Sequence, residues 1–290
     1  MANIKDLKKK IKSTKGTFKI TSAMKLVSSA KLGKAQKAIL GARPYAQEME
    51  NTIRDISALV QDYKHDFLKE SPNNNQSTLL VISSDKGLCG GYNSQLAKGV
   101  RQFIAEKPEE EFKVYFIGKK VKEVIYKDVN VEKIFTFEKS EPTFEELTTV
   151  GEELAQPFRK SEVGRVYVAY NHFNSAISFD PTFKKILPMT LDKKEIKDIK
   201  KEFPFDFKYE PDATELLDTL IEEAVKDVFY TSFLDAQASE HGSRMAAMDS
   251  AAKNCNDIIK KLTLKMNKLR QAAITTELIE VVSGAESLNA

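Results

Sequence analysis

The sequence has no tryptophan and few glycines or prolines, 12 and 9 among its 290 residues. Scarcity of the two helix-breaking residues favours long helices over a loop-rich β protein. No apolar run comes near the roughly 20 residues that a membrane-spanning helix requires. We therefore expect a protein rich in helix that is not inserted directly into a membrane.

Cysteine is also rare: Cys89 and Cys255 are far apart and form no metal-binding spacing. Two isolated thiols fit a reducing compartment, and we expect a cytoplasmic location. The basic N-terminus lacks the apolar segment of a secretory signal. The three histidines form no ligand or acid–base pattern, so the sequence predicts no metal site, no cofactor and no catalytic residue.

Positive charge is concentrated at one end of the chain. The formal net charge is only +3, but residues 1–43 hold twelve Lys or Arg against one acidic residue, Asp6. A basic arm of this kind implies an acidic partner, either nucleic acid, an anionic surface or acidic protein loops. The alternative is a solvated basic helix face.

The N-terminal block predicts a long helix. No proline precedes Pro44, and apolar residues or threonines recur in steps of three and four at residues 4, 7, 11, 14, 18 and 21. This spacing is that of a coiled-coil seam, in a block that runs to about residue 67. A second apolar face follows at Ile20, Met24 and Val27.

The C-terminal block, residues 212–290, contains no proline and shows a sharper pattern. Nine successive apolar positions alternate in steps of three and four: Met245, Met248, Ala252, Cys255, Ile259, Leu262, Met266, Leu269 and Ala273. Such regular spacing predicts a second long helix with a coiled-coil seam. Because two long helices pair most economically with each other, we predict a long antiparallel two-helix coiled coil.

Between the helices the hydrophobic period changes. Short apolar runs alternate with helical segments, which predicts a small, mostly parallel sheet with helices on its faces. An antiparallel-looking strand is predicted at residues 176–179. The predicted fold class is thus α+β, with a Rossmann-like α/β domain at residues 77–205 inserted between coiled-coil helices at 1–67 and 212–290.

A glycine-rich turn, SSDKGLCGGYN at residues 83–93, follows a predicted strand and precedes a helix, where phosphates often bind. It matches neither G-x-G-x-x-G nor G-x-x-x-x-G-K-[ST], and NTP hydrolysis would need the second. We favour a packing role for Gly87, Gly90, Gly91 and the Cys89 thiol. A nucleotide-using α/β enzyme stays an alternative, which calorimetry with ATP would test.

The end of the C-terminal helix is strongly apolar. Ile274, Leu278, Ile279, Val281 and Val282 are predicted to cover most of its circumference. A helix that is apolar on nearly all sides must be enclosed. We expect an external protein sleeve around this tip; the alternative is a tip that folds back on its own coil or frays.

Residues 274–287, ITTELIEVVSGAES, resemble the signature of the γ subunit of F-type ATP synthases. Further matching stretches follow in the family's order: ITSAMKLVSSAKL (20–32), ARPYAQ (42–47), SSDKGLCGGYN (83–93), YEPD (209–212) and SEHGSRMAAMDSAAKN (239–254). The resemblance covers essentially the whole chain. Because no transit peptide precedes the motifs and no regulatory insert of the chloroplast type is visible, it favours a bacterial enzyme on the cytoplasmic face of the cell membrane.

The resemblance implies a central rotor shaft, with catalysis left to the β subunits. The helix pair would stand inside a ring of α and β subunits, and its tip would turn in an apolar bearing. The α/β domain would be a foot that contacts subunit ε and the c ring of the membrane sector. Proton flow would turn the c ring and the shaft, and torque would couple proton transport to ATP synthesis or hydrolysis.

By motif position, the resemblance also implies which residues touch partners. Met24 and Lys25 would meet acidic loops of β, although Lys25 departs from the acidic residue of some relatives. The ring would contact Arg270, Gln271, Thr275 and Glu277, and the bearing would hold Ile274, Leu278, Val281 and Val282. Phe207, Tyr209 and Glu210 would belong to the foot contact with the c ring.

The basic arm supports one alternative function, a coiled-coil protein that binds nucleic acid with an affinity that falls steeply with salt. The arm shows little aromatic interleaving, and this alternative leaves the apolar tip unexplained. A rotor shaft predicts instead that the chain co-purifies with α and β subunits.

Overall fold

The computed structural model of the chain describes residues 4–60, 63–72, 75–138, 141–189, 196, 199, 201–203, 208–210 and 212–288. Two compact units are present: Met1–Ser28 with Arg244–Ala290, and Ser29–Ser243. Helix α1, Ile4–Leu59, and helix α5, Ala213–Leu288, each contribute residues to both units. These two helices and a central mixed sheet confirm the predicted fold class.

In the first unit, α1 and α5 lie antiparallel. The Lys25 ammonium is 2.6 Å from an Asp249 carboxylate oxygen, and Ile11 lines the same groove as Thr263 and Met266. Residues nearer the N-terminus of α1 therefore lie beside residues nearer the C-terminus of α5. This is the pairing that the two seams predict.

The buried positions of this helix pair are largely those of the predicted seams. Leu7, Ile11 and Thr21 of α1 are buried, and every predicted seam position of α5 from Met245 to Leu269 is buried or half-buried. The second apolar face of α1 behaves differently, since Ile20 and Val27 are exposed. Of that face only Met24 is half-buried, so Ile20 and Val27 lie at the surface of the helix pair.

The second unit contains a five-stranded sheet in the order β3–β2–β1–β4–β5. The strands are β1 (Gln76–Ile82), β2 (Glu111–Ile117), β3 (Asn130–Phe135), β4 (Arg165–Ser175) and β5 (Ser178–Leu187). The first four are parallel and β5 is antiparallel to β4. The strand predicted at residues 176–179 begins too early, because Ala176 and Ile177 form the turn that reverses the chain.

Helices cover both faces of this sheet. Helices α2 (Tyr92–Ala105), α3 (Lys120–Ile125) and α4 (Phe144–Arg159) follow β1, β2 and β3, and a short 3-10 helix spans Asp66–Leu68. Residues of α2 and α3 pack on one face. The other face is covered by α4, by Met49, Ile53 and Ile56 of α1, and by residues of α5. Burial on both sides explains why β1 reads as a continuous apolar run.

Gly118, at the end of β2, is the glycine with the strongest steric requirement. Its φ is +80°, and a Cβ there would lie 2.2 Å from the Ser83 carbonyl oxygen. We expect Gly118→Ala to lower the free energy of unfolding by about 2–4 kcal/mol. Gly16→Ala in α1, with no atom within 4 Å of its new Cβ, should raise it by about 0.5–1 kcal/mol. Urea unfolding of the isolated chain measures both, and equal effects would contradict this account.

Candidate partner interface

The last turns of α5 present an exposed apolar surface, called here the tip arc: Ile274, Leu278, Ile279, Val281 and Val282. These side chains are between 49% and 69% exposed. In the described residues α1 begins at Ile4, and the register of Lys25 with Asp249 brings Ile4 level with about Arg270 of α5. Beyond Arg270, α5 therefore has no described part of α1 beside it, and its apolar side chains are exposed. Since α5 continues as a helix to Leu288, the tip does not fold back on its coil.

The tip arc covers one side of the helix rather than most of its circumference. Successive residues of an α-helix are about 100° apart, so the five residues span an arc of about 160°. The prediction of a tip that is apolar on nearly all sides is therefore wrong. Its cause is the spacing of Ile274, Leu278 and Val281, whose steps of four and three return to the same side. An exposed apolar patch still marks a contact with a partner.

The predicted polar contacts lie on the same turns of α5. Arg270, Gln271, Thr275 and Glu277 are all exposed. Arg270 and Glu277, seven residues apart, lie on one flank of the tip arc. The Thr275 hydroxyl donates to the Gln271 carbonyl oxygen at 3.0 Å. A basic and an acidic side chain thus stand beside an apolar surface, and such charges can fix the orientation of a partner. Their contact with a ring stays a prediction.

Met24 and Lys25 lie in the helix pair of the first unit. Met24 is half-buried, and Lys25 is bound to Asp249. The other Asp249 oxygen lies 2.7 Å from the Lys253 ammonium. Lys25 is therefore neutralised in part by its own chain, and an acidic loop of a partner would compete with Asp249. No sequence pattern points to Asp249, because only the register of the two helices brings it opposite Lys25.

We expect the Asp249 carboxyl to titrate with a pKa lowered to about 2, because hydrogen bonds from Lys25 and then Lys253 favour its charged form. The unfolded carboxyl has a pKa of about 3.9. The lower folded pKa stabilises the helix pair above pH of about 4, and this stabilisation is lost as the pH falls toward 2. Lys25→Met should raise the Asp249 pKa part of the way, since Lys253 remains. Carboxyl NMR titration measures it, with the exposed Lys9→Met as control; an unchanged pKa in Lys25→Met would contradict the pairing.

The predicted foot contact is described only in part. Phe207 lies outside the described residues. Tyr209 is half-buried and packs against the core of the second unit, whereas Glu210 is exposed and lies 2.7 Å from the Lys208 ammonium. Of the two described residues, Glu210 is the one that the structure offers to a partner, and contact with a c ring stays a prediction.

The glycine-rich turn after β1 packs against α5. The Ser243 hydroxyl donates to the Cys89 carbonyl oxygen at 2.6 Å, and the Tyr92 hydroxyl donates to the Ala236 carbonyl oxygen at 3.1 Å. Within the turn, the Asn93 side-chain amide donates to the Cys89 sulfur at 3.1 Å. The Cys89 thiol is buried by these contacts. This geometry favours the packing role for the turn.

The crevice in which α/β proteins bind nucleotides is also filled by α5. Ligands of open α/β sheets bind at the carboxyl ends of the strands where the strand order reverses, here between β1 and β4. At that point the Ser239 hydroxyl of α5 donates to the Asn171 carbonyl oxygen at 2.9 Å. The Asn171 amide donates in turn to the Tyr92 carbonyl oxygen at 3.2 Å. A helix of the chain thus lies where a nucleotide would bind, which argues against a nucleotide-using enzyme.

Neither a metal site nor a membrane span finds support in the part of the chain that the structure describes. No three His, Cys, Asp or Glu side chains are grouped there as metal ligands would be. No helix of those residues combines the length and the apolar character needed to cross a bilayer.

Comparisons with known proteins identify the family. A family model described as ATP synthase matches residues 3–288. The chain is 39% identical to the ATP synthase gamma chain of Geotalea daltonii and 37% identical to that of Trichlorobacter lovleyi, each over 290 residues and 99% of both chains. A chain in the cryo-EM structure of the Euglena gracilis mitochondrial ATP synthase (OSCP, F1 and c-ring, rotational state 3) has a similar fold, with a TM-score of 0.66 and 17% identity over 98% of this chain and 94% of that one. From the family match and these relatives we conclude that the chain belongs to the ATP synthase family.

Proposed function

We propose that this chain is the central rotor shaft, the γ subunit, of a bacterial F-type ATP synthase. It transmits torque between a proton-driven c ring and a catalytic ring of α and β subunits, and so couples proton transport to ATP synthesis or hydrolysis. The observation that carries the proposal is the exposed tip arc on α5, beyond the end of its pairing with α1. An exposed apolar surface of this kind marks a contact with a partner protein.

The shaft works by presenting different faces to its surroundings. The tip carries the tip arc on one side, Arg270 and Glu277 on its flank, and Glu280 on the opposite side. When the helix turns inside a ring, each β subunit meets these faces in succession. Each face stabilises a different conformation of β, and an imposed rotation thereby changes the nucleotide affinity of the β sites.

The contact proposed at Lys25 also changes with rotation. Lys25 is held by Asp249, so an acidic loop of β gains Lys25 only by exchanging with that carboxylate. This exchange costs little free energy, because an ion pair between Lys25 and the acidic loop replaces the ion pair between Lys25 and Asp249. Such a contact can form and break as the shaft turns.

Catalysis belongs to the β subunits in this proposal, and the chain itself is a non-catalytic subunit. Support comes from the filled crevice of the α/β fold and from the glycine-rich turn, whose groups bind α5. The chain transmits torque and contributes no reacting group.

The foot completes the proposal. We place subunit ε and the c ring against the α/β domain, with Tyr209 as an anchored residue and Glu210 as an exposed one. This puts the chain at the cytoplasmic face of the bacterial inner membrane as a peripheral subunit. The division of the chain into an N-terminal segment 1–67, whose helix α1 ends at Leu59, a foot at 77–205 and a C-terminal segment 212–290 belongs to the same proposal.

Native mass spectrometry of the complex from its own membrane tests the function. We expect the chain in an assembly with α, β, ε and c subunits, with one copy per catalytic ring. The nucleic-acid alternative, which none of the comparisons supports, predicts a chain that leaves the membrane fraction and binds RNA or DNA at low salt. Recovery of the α–β ring without this chain would contradict the proposal.

A further inference from the structure

One buried carboxylate in the second unit joins three elements. The Asp235 carboxylate, on α5, accepts a hydrogen bond from the Arg43 guanidinium of α1 at 2.5 Å and from the Phe173 backbone N–H of β4 at 3.1 Å. The same guanidinium donates to the Phe173 carbonyl oxygen at 2.7 Å. The His172 ring lies 3.3 Å from the second Asp235 oxygen. We call these four residues the Asp235 hub.

Burial distinguishes the Asp235 hub from the exposed ion pairs of the chain. The Asp235 side chain is only 6% exposed, against 33% for Arg43. A carboxylate that is removed from water depends on its partners, since a buried charge without compensation is costly. Exposed ion pairs such as Lys133 with Glu153, whose side chains are 47% and 42% exposed, contribute much less.

The hub also lies beside a weak point of α1. Pro44 follows Arg43 within the helix, and proline has no backbone N–H to donate to the carbonyl oxygen of Leu40. A helix that has lost this hydrogen bond bends more easily at that point. The Arg43 side chain holds α1 to β4 and α5 directly next to the missing bond.

We propose that Asp235 is a positioning residue for torque transmission, which fixes α1 and α5 to the end of β4. Without it, the two helices slip against the sheet when the α/β domain is driven, and rotation of the foot no longer reaches the rest of the shaft in full. This inference rests on the proposed rotor function and deepens it, because it names the joint through which the foot drives both helices.

Inverted membrane vesicles that contain the assembled complex test the joint. ATP hydrolysis and ATP-driven proton pumping are measured on the same vesicles. We expect Asp235→Ala and Arg43→Ala each to lower the protons pumped per ATP hydrolysed by about threefold or more. The double variant should lose little more than either single one, since both act through one ion pair. Asp235→Glu, which keeps the carboxylate, should recover part of the loss, and Glu153→Ala is the matched control that removes an exposed pair.

Several outcomes would overturn the inference: normal coupling in Asp235→Ala, losses that add in the double variant, or an equal loss in Glu153→Ala. If Asp235→Ala does not assemble, Asp235→Asn keeps the size and one acceptor oxygen. Hydrogen exchange of that isolated chain should then be faster around Arg43 than in the wild type, and unchanged exchange there would overturn the inference. Failure of the wild-type complex to pump protons would refute the rotor function itself and is thus a distinct result.

Discussion

Replacing Leu262 with proline will uncouple ATP hydrolysis from proton pumping. Leu262 is a half-buried seam residue of α5, in the part of the helix that pairs with α1. Proline removes a backbone hydrogen bond and clashes with the preceding turn, at a cost of about 3 kcal/mol or more. The tip arc, which follows twelve residues later, then loses its fixed direction. We expect inverted vesicles to hydrolyse ATP without building a proton gradient.

Two leucines of the same helix turn this into a controlled experiment. Leu262→Ala keeps the helix and removes packing at the seam, so coupling should fall moderately. Leu264, which is 64% exposed, offers the same substitution off the seam, and Leu264→Ala should couple as the wild type does. Wild-type coupling in Leu262→Pro would contradict the mechanical role of the helix pair.

Introducing two carboxylates into the tip arc will lower the affinity of the catalytic ring for the shaft. Leu278 and Val281 are 61% and 69% exposed in the chain alone, so Leu278→Asp with Val281→Asp should leave its own stability almost unchanged. In an apolar bearing, each substitution forfeits about 1.5–3 kcal/mol of burial and adds an uncompensated charge. A total of about 4 kcal/mol corresponds to roughly a thousandfold loss of affinity.

The dissociation of purified chain from the α–β ring measures this loss, by native mass spectrometry across a dilution series. Thr276→Asp is the matched control: it adds a carboxylate on the side of the tip away from the tip arc, and it should change the affinity by less than about tenfold. If both variants bind the ring equally well, the tip arc is not the surface that the ring grips.

The sequence predicted those features that a local period encodes. The three-and-four spacing from Met245 to Leu269 directly specifies one side of a helix, and those positions are buried or half-buried in the structure. Strand β1 of the α/β domain is equally readable, because it is buried on both faces and has no polar alternation. In both cases the residues that form the pattern are also the residues that are packed.

Features that depend on tertiary register were not predictable. Asp249 meets Lys25, and Asp235 meets Arg43, across 224 and 192 residues of sequence, and no local spacing relates them. No sequence pattern distinguishes the packing of Met49, Ile53 and Ile56 on the sheet from packing along a coiled coil. Apolar helical spacing shows which side of a helix is buried, but not against which element.

The error in the predicted circumference of the tip has a different origin, because the helical step of about 100° alone gives the angular positions of its residues. The number of apolar residues between 274 and 282 predicts a tip that is enclosed from all sides, whereas their angular positions leave the side of Glu280 polar. A one-sided surface changes what a partner must do: it grips an arc that moves with rotation rather than a uniform cylinder. The asymmetry needed to distinguish one β subunit from the next is therefore present at the tip itself.

Direct observation of rotation tests the central claim. The α–β ring would be fixed to a surface, and a bead attached through Ile177→Cys, a position that is 80% exposed, in a chain that also carries Cys255→Ala. We expect ATP to drive continuous rotation of the bead in one direction. A ring that hydrolyses ATP at its full rate while the bead stays still would show that this chain is not a rotating shaft.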